Sequence, residues 1–183
     1  MKMLGAAGSV TSHDGVLVRP GRPARRVVVS DEVFTRLQAA QAVVAPRGIR
    51  LLLVRGFEAG SPLVRFVRRR MRALGSRLFR WLYPTRASEV RGIFGANGHD
   101  DPAANAVDVA IVLDGRRLKL LPHGVFTPPR LVEANYRSHE ATISLVHEAL
   151  RSVGLAVHPN AVEALQVHCA LPAEDAARRG NAD

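Results

Sequence analysis

The 183-residue chain carries a formal net charge of +10, and hydrophobic residues make up 47% of it. This apolar fraction excludes a wholly disordered chain, and the length suits a single domain with a hydrophobic core. No apolar run reaches the roughly 18 residues that a membrane-spanning helix needs, and the first residues show no apolar core of a signal peptide. The single cysteine, Cys169, excludes an intrachain disulfide. These features together predict a cytoplasmic protein.

The first part of the chain predicts a strand, a helix and a second strand after a loose start. Residues 1–26 are rich in Gly, Pro and Arg, which predicts a flexible segment. Val27–Val29 predicts a short strand. Ser30 is a favourable N-cap, because acids follow it in the first turn, where the helix dipole favours them. Apolar residues at helical spacing then predict a helix over 31–45, and the aliphatic run over 49–57 is typical of a buried strand.

A second helix is predicted from Pro62 to residue 82, and it is strongly basic. Residues 65–91 contain nine arginines and one acid, Glu89. Such a helix can lie on an anionic membrane or on nucleic acid. It can also pack its stripe of Val, Phe, Met and Leu against the core and leave the arginines in water. We favour the packed interpretation because the stripe is wide enough to demand burial, and the aromatic fraction of 5% is too low for stacking on single-stranded nucleic acid.

The C-terminal half predicts a hairpin, a long helix and two strands. Asp114-Gly115 is a strong signal for a two-residue turn after the apolar strand 106–113. The third helix and the two C-terminal strands are predicted over 132–153, 155–157 and 162–169. The tail from residue 172 to residue 183 is polar and predicts a frayed end. We therefore predict one α+β domain over 27–171, in which helices pack on a small antiparallel sheet.

Asp108 lies inside the apolar strand 106–113, where a carboxylate is costly unless a cation, a metal ion or several donors offset its charge. His99 precedes this strand, and His168 lies in the last predicted strand. His and Asp are zinc ligands, and a catalytic zinc takes three protein ligands and lowers the pKa of its water to about 7. These residues predict a zinc site at the centre of the sheet. In the alternative interpretation Asp108 is hydrogen-bonded, His168 is satisfied within its strand, and His99 lies at the surface.

Three stretches of the chain resemble the zinc D-alanyl-D-alanine peptidases, most nearly their dipeptidase branch. Residues 51–57, LLLVRGF, are similar to the family's first strand. Residues 97–111, NGHDDPAANAVDVAI, are similar to its metal-binding motif, and residues 134–159 to its late helix and the exit from it. The resemblance covers roughly residues 27–170. It implies a peptidase that cleaves small peptides, of the D-Ala-D-Ala type found in cell walls, with zinc-activated water.

The resemblance also implies which residues hold the metal. His99, Asp108 and His168 correspond to the three family ligands, and the step from the first to the second is nine residues here, against seven in the family. His158 lies close to the site in sequence and is an alternative ligand. Cys169 alternates to the opposite face of its strand from His168, which predicts a buried core thiol rather than a ligand.

The family's catalytic residues have substitutes in this chain. Its arginine after Gly-Phe is Glu58 here, which leaves Arg55 to stabilise a transition state. Its glutamate, three residues before the last ligand, is Leu165 here, so Glu163 is the nearest general base. On a regular strand, alternation turns Glu163 away from the face of His168.

A second hypothesis belongs to another functional class. In it the protein is a catalytically inactive relative on the same fold, and it binds an anionic partner through the Arg-rich helix 62–82. Nucleic acid and an anionic membrane surface are the two partners to consider. Either would be recognised by a steep fall in binding as the salt concentration rises.

Overall fold

Two β-sheets and three α-helices make up the described part of the protein. The computed structural model describes residues 1–5, 9–20, 26–57, 62–90, 103–118, 126–157 and 167–172, although not the side chains of 62–65, 68, 69, 88 and 89. The strands are β1 (Lys2–Leu4), β2 (Thr11–His13), β3 (Val16–Val18), β4 (Val27–Val29), β5 (Ile49–Arg55), β6 (Ala106–Leu113), β7 (Arg116–Arg117), β8 (Ala156–Val157) and β9 (Val167–Ala170). The helices are α1 (Asp31–Val44), α2 (Pro62–Leu82) and α3 (Pro129–Ser152), with 3-10 turns at Ala45–Arg47 and Pro84–Glu89.

Strand β6 lies in the middle of the larger sheet, whose strand order is β2-β3-β5-β6-β9-β8, with β7 also paired to β6. Neighbouring strands of this sheet are antiparallel except for β3 and β5, which are parallel. The parallel pair arises because the chain passes from β3 to β5 through β4 and α1, the kind of crossover that parallel strands require. β1 and β4 form a separate antiparallel pair. The mixed architecture agrees with the predicted α+β class, and the sheet predicted as antiparallel contains one parallel pair, β3 with β5.

Half of the residues described within 1–26, a segment predicted to be flexible, belong to short strands. Strands β1, β2 and β3 lie in this segment, and Leu4, Val16 and Val18 are buried in the main core. Asp14-Gly15 joins β2 to β3 with φ values of 48° and 87°, the left-handed conformations that a two-residue hairpin turn requires. These strands are too short to show a clear alternation of apolar and polar residues. The Gly, Pro and Arg residues around them are typical of loops, so the sequence did not indicate strands here.

Helix α1 begins as its sequence predicts. The Ser30 hydroxyl accepts a hydrogen bond from the Val33 amide at 3.3 Å, so the predicted N-cap is confirmed. After the following 3-10 turn, Gly48 adopts a φ of 70°, which allows the chain to reverse into β5. α1 and α3 pack against each other, and both contribute to the main core, where Phe34 and Leu150 are fully buried.

The side chains of β6 alternate between two buried faces. Val107, Val109 and Ile111 belong to the main core beneath α1 and α3. Ala110 and Val112 belong to a smaller apolar cluster on the opposite face of the sheet, together with Leu52 and Val54 of β5. Asp108 shares the alternation of Ala110 and Val112, so it lies on the face of the smaller cluster.

The predicted hairpin and third helix are present. Asp114-Gly115 adopts φ values of 49° and 76° and joins β6 to β7, which confirms the turn. α3 begins at Pro129, earlier than predicted, because proline suits the first turn of a helix. Gly154, with a φ of 79°, follows its end. β9 begins at Val167, and the first part of the predicted strand 162–169 lies outside the described residues.

The favoured interpretation of α2, in which its apolar stripe packs into the core, is wrong. Met71 is 63% exposed, Leu74 is 62% exposed and Trp81 is 77% exposed. Phe79 is instead fully buried, on a different side of the helix. Among the described helices, none is long and apolar enough to cross a membrane.

Gln41 is a buried polar side chain of α1 that completes the hydrogen bonding of β5. Its Nε2 donates to the Ile49 carbonyl at 3.1 Å, and its Oε1 accepts from the Leu51 amide at 2.6 Å. β3 pairs with β5 only at Leu17–Leu52 and the position after it. The glutamine side chain therefore takes the place of a neighbouring strand along the first residues of β5.

We expect Gln41→Leu to lower the free energy of unfolding by about 2 kcal/mol or more, because the Ile49 carbonyl and the Leu51 amide would stay buried without these partners. Urea denaturation measures the change. Gln38→Leu is the matched control, since Gln38 lies on the same helix and is only partly buried; its expected effect is below about 0.5 kcal/mol. Equal losses in the two variants would contradict the role of Gln41.

Candidate functional site

Asp108 and His168 face each other at the centre of the larger sheet. They are direct partners in the antiparallel pairing of β6 with β9, and directly opposite residues of such a pair project to the same side. Asp108 Oδ1 and His168 Nδ1 are 2.9 Å apart, although 60 positions separate the residues in sequence. The fold therefore brings together two of the three predicted zinc ligands.

The two side chains are almost completely removed from water. Asp108 is 6% exposed and His168 is 5% exposed. A carboxylate in such a position needs compensation, and the 2.9 Å contact with the imidazole supplies it. With its proton on Nδ1, the imidazole donates a hydrogen bond to the carboxylate, and a doubly protonated ring adds an ion pair to the same contact. Either state fixes the orientation of the ring within the sheet.

A β-bulge places Arg55 opposite Asp108 on the other side of β6. Leu53 pairs with Val109 and Arg55 pairs with Asp108, so Val54 is the extra residue of β5. A regular ladder would have put Val54 opposite Asp108 and moved Arg55 along by one position. The Arg55 side chain is exposed, whereas the side chains of Asp108 and His168 are buried.

Arg19 and Arg117 join Arg55 in a group of three cations. The pKa of the Arg117 guanidinium is lowered, first by its partial burial and then by the positive charges of Arg19 and Arg55. The Arg19 amide donates to the Leu53 carbonyl next to the bulge, and Arg117 is the β7 partner of Val112. Like charges held near one another favour an anion between them. No short stretch of sequence indicates this group. The one local signal is the two-residue turn at Asp114-Gly115, which places Arg117 opposite Val112.

The remaining predicted site residues lie outside the part of the chain that the structure describes. These are His99, the first predicted ligand, Glu163, the predicted base, and His158, the alternative ligand. Within the described ranges, no group of three His, Cys, Asp or Glu residues could hold a metal ion. Of the predicted residues, the structure thus positions Asp108, His168 and Arg55.

Cys169 is buried and has a free thiol, as the alternation of its strand predicts. It belongs to the main core, on the opposite face of β9 from His168. Burial, and to a smaller extent the charge of Asp108, raise the pKa of this thiol. The thiol is therefore neutral at physiological pH and acts as an apolar core group rather than as a ligand or a nucleophile.

Comparison of the chain with protein-family models, with curated proteins and with solved structures finds no match. The described fold and site define a mixed α/β protein with a buried Asp–His pair at the centre of its main sheet. The resemblance to the zinc D-alanyl-D-alanine peptidases remains a prediction from the sequence.

We expect Asp108 and His168 to be energetically coupled. Asp108→Ala or His168→Ala alone removes a buried partner and should lower the free energy of unfolding by about 2–4 kcal/mol. The double variant should cost about 1–3 kcal/mol less than the sum of the two single variants. A double-mutant cycle measured by urea denaturation gives this coupling.

The exposed pair Glu133–Arg137 on α3 is the control for this cycle. Its N–O distance is 2.5 Å, shorter than that of the buried pair, yet exposure limits the expected coupling to about 0.5 kcal/mol. A coupling between Asp108 and His168 that is no larger than that of the control would show that their buried contact contributes nothing particular to stability.

Proposed function

We propose that the protein is a zinc-dependent hydrolase that cleaves small peptides with metal-activated water. The observation that carries this proposal is the buried contact of Asp108 Oδ1 with His168 Nδ1, 2.9 Å apart on two central strands. His99 is proposed as the third ligand from its place in the sequence before β6. The sequence resemblance to the D-Ala-D-Ala peptidases supports the same three residues.

The donor atoms of the pair suit zinc. Zinc in proteins binds imidazole nitrogen and carboxylate oxygen, and two ligand atoms of a tetrahedral ion at about 2.0–2.2 Å are about 3.4 Å from each other. The distance between Asp108 Oδ1 and His168 Nδ1 is 2.9 Å. A small rotation of either side chain would lengthen it to the separation that two zinc ligands need. Both residues lie on adjacent central strands, which hold their backbones in a fixed relation.

Two further residues are proposed for the other requirements of peptide hydrolysis. A zinc ion, when bound, contributes the Lewis acidity that activates water and polarises a carbonyl. Arg55, which pairs with Asp108 across β5 and β6, provides a positive charge for the oxygen on which negative charge develops. Glu163 is the proposed base that takes a proton from water and passes it to the leaving amine.

The positive charge of Arg19, Arg55 and Arg117 favours a substrate that carries a carboxylate. Arginine binds carboxylates through two parallel hydrogen bonds. The positive charges of Arg19 and Arg55 help to lower the pKa of Arg117, and a bound anion would offset this repulsion. A dipeptide presents its C-terminal carboxylate close to the bond that is cleaved. We therefore propose a dipeptide of the D-Ala-D-Ala type as the substrate.

We expect the purified protein to contain about one zinc ion per chain at neutral pH, measured by mass spectrometry of the metal content. His99→Ala, Asp108→Ala and His168→Ala should each lower this content, because each removes a proposed ligand. His139→Ala on α3 is the matched control and should retain the metal. Circular dichroism establishes that the variants are folded. Absence of zinc from the unaltered protein, or an equal loss in the control, would overturn the proposal.

We expect Arg55→Ala to lower kcat for a D-Ala-D-Ala dipeptide by about 100-fold with the zinc content unchanged, because the variant loses a charge near the developing oxyanion. Arg116→Ala provides the comparison, since Arg116 is exposed on β7 and pairs with Leu113, away from Asp108. A similar drop in both variants would argue against the assigned role of Arg55. Failure of the zinc-loaded protein to hydrolyse dipeptides would contradict the substrate class.

A further inference from the structure

Helix α2 carries most of the large apolar side chains that are exposed in the described part of the chain. They are Phe66 (55%), Val67 (50%), Met71 (63%), Leu74 (62%), Leu78 (43%), Trp81 (77%) and Leu82 (44%). From Val67 to Trp81 they recur at alternating steps of four and three residues, the spacing that puts side chains on one side of a helix. Exposed apolar side chains scattered singly are ordinary, but a continuous stripe marks an interaction surface.

A different side of α2 holds the helix to the rest of the protein. Phe79 is fully buried, and its ring centroid lies 5.2 Å from that of Tyr83 and 6.4 Å from that of Phe126. The Tyr83 hydroxyl donates to the Phe126 carbonyl at 2.8 Å. The apolar stripe is therefore not the surface by which the C-terminal end of α2 packs on the protein.

Positive charge flanks the stripe. The helix contains seven arginines and no acidic residue. Arg70, Arg77 and Arg80 are exposed, and the Arg70 guanidinium lies 5.2 Å from the centre of the Phe66 ring, beside the stripe. A partner that covers the apolar side chains must therefore also accept a high density of positive charge.

We propose that α2 lies on the surface of an anionic lipid bilayer. The stripe from Val67 to Trp81 enters the boundary between headgroups and acyl chains, and the arginines bind lipid phosphates. This orientation gives each set of side chains its complement: hydrocarbon for the stripe and negative charge for the arginines. A helix with this division lies in the plane of the interface rather than across the bilayer.

The charge of α2 decides against the other partners. A second copy of the helix would bury the stripe but would bring the flanking Arg70 and Arg77 of both copies together, with no acid in either helix to offset their charge. Nucleic acid would bind the arginines but leave Met71, Leu74 and Leu78 without an apolar partner. A groove on an acidic protein would have to place acids beside an apolar channel along the whole stripe, whereas an anionic bilayer offers both everywhere on its surface.

The only tryptophan of the chain, Trp81, reports directly on this surface. Vesicles of phosphatidylglycerol and phosphatidylcholine should shift the Trp81 emission to shorter wavelength and carry the full-length protein into the pellet on sedimentation. Vesicles of phosphatidylcholine alone should do neither, and raising the salt concentration should release the protein from the anionic vesicles, because exposed charges are screened.

Met71→Glu/Leu74→Glu should reduce binding to the anionic vesicles by about tenfold or more, since it removes two apolar side chains that the bilayer would bury and adds negative charge. Arg70→Gln/Arg77→Gln should weaken binding to anionic vesicles and flatten its dependence on salt. Val43→Glu is the control, because Val43 is 52% exposed on α1, away from the stripe, and should bind as the unaltered protein does. None of these variants alters Phe79, so the helix stays in place.

The proposal is overturned if the protein fails to bind anionic vesicles, or if it binds neutral vesicles equally well. It is also overturned if Val43→Glu loses as much binding as the stripe variant. Salt-sensitive binding to a DNA or RNA oligonucleotide without vesicle binding would point to nucleic acid instead. A dimer in sedimentation analysis that Met71→Glu/Leu74→Glu dissociates, again without vesicle binding, would point to a second copy. The zinc content tests the proposed hydrolase separately, so either proposal can fail without the other.

Discussion

The described fold depends on the burial of β6 on both of its faces. A strand with neighbours on either side and a core above and below it must be apolar almost throughout, and β6 is apolar except at Asp108. The carboxylate is tolerated because β9 brings His168 directly opposite it. The contact between the two side chains therefore forms together with the pairing of β6 and β9. Asp108 is also the one residue of β6 with a polar side chain.

Local sequence signals were sufficient wherever a feature is set by a few neighbouring residues. The N-cap at Ser30, the run of β6 and the turn at Asp114-Gly115 could all be predicted, because each depends on side chains within a few positions of one another. Asp108 and His168 were predicted as ligands of one zinc ion, from their residue types and from a family resemblance, and not as a pair in direct contact. The geometry of their contact required the register of β6 and β9, which no short stretch of sequence contains.

Other features could not be predicted because they depend on distant partners. The bulge at Val54 changes which residue lies opposite Asp108, and it becomes visible only when β5 is aligned with β6. Gln41 has the helical position of a core residue, but its role requires the place on β5 that β3 does not reach. For α2, periodicity identified one apolar side of the helix without determining what covers it, and the structure leaves that side exposed.

One edge of β6 pairs with two strands that lie far apart in the sequence, β7 and β9. β7 pairs with Val112 and Leu113, and β9 pairs with the stretch from Ala106 to Val109. During synthesis β7 emerges well before β9, so the hairpin can close while the rest of that edge is still empty. Had the hairpin continued along β6, it would have occupied the positions that β9 needs. The early end of β7 at Arg117 keeps this edge open, and the Asp–His pair can form only after the C-terminal strand has been made.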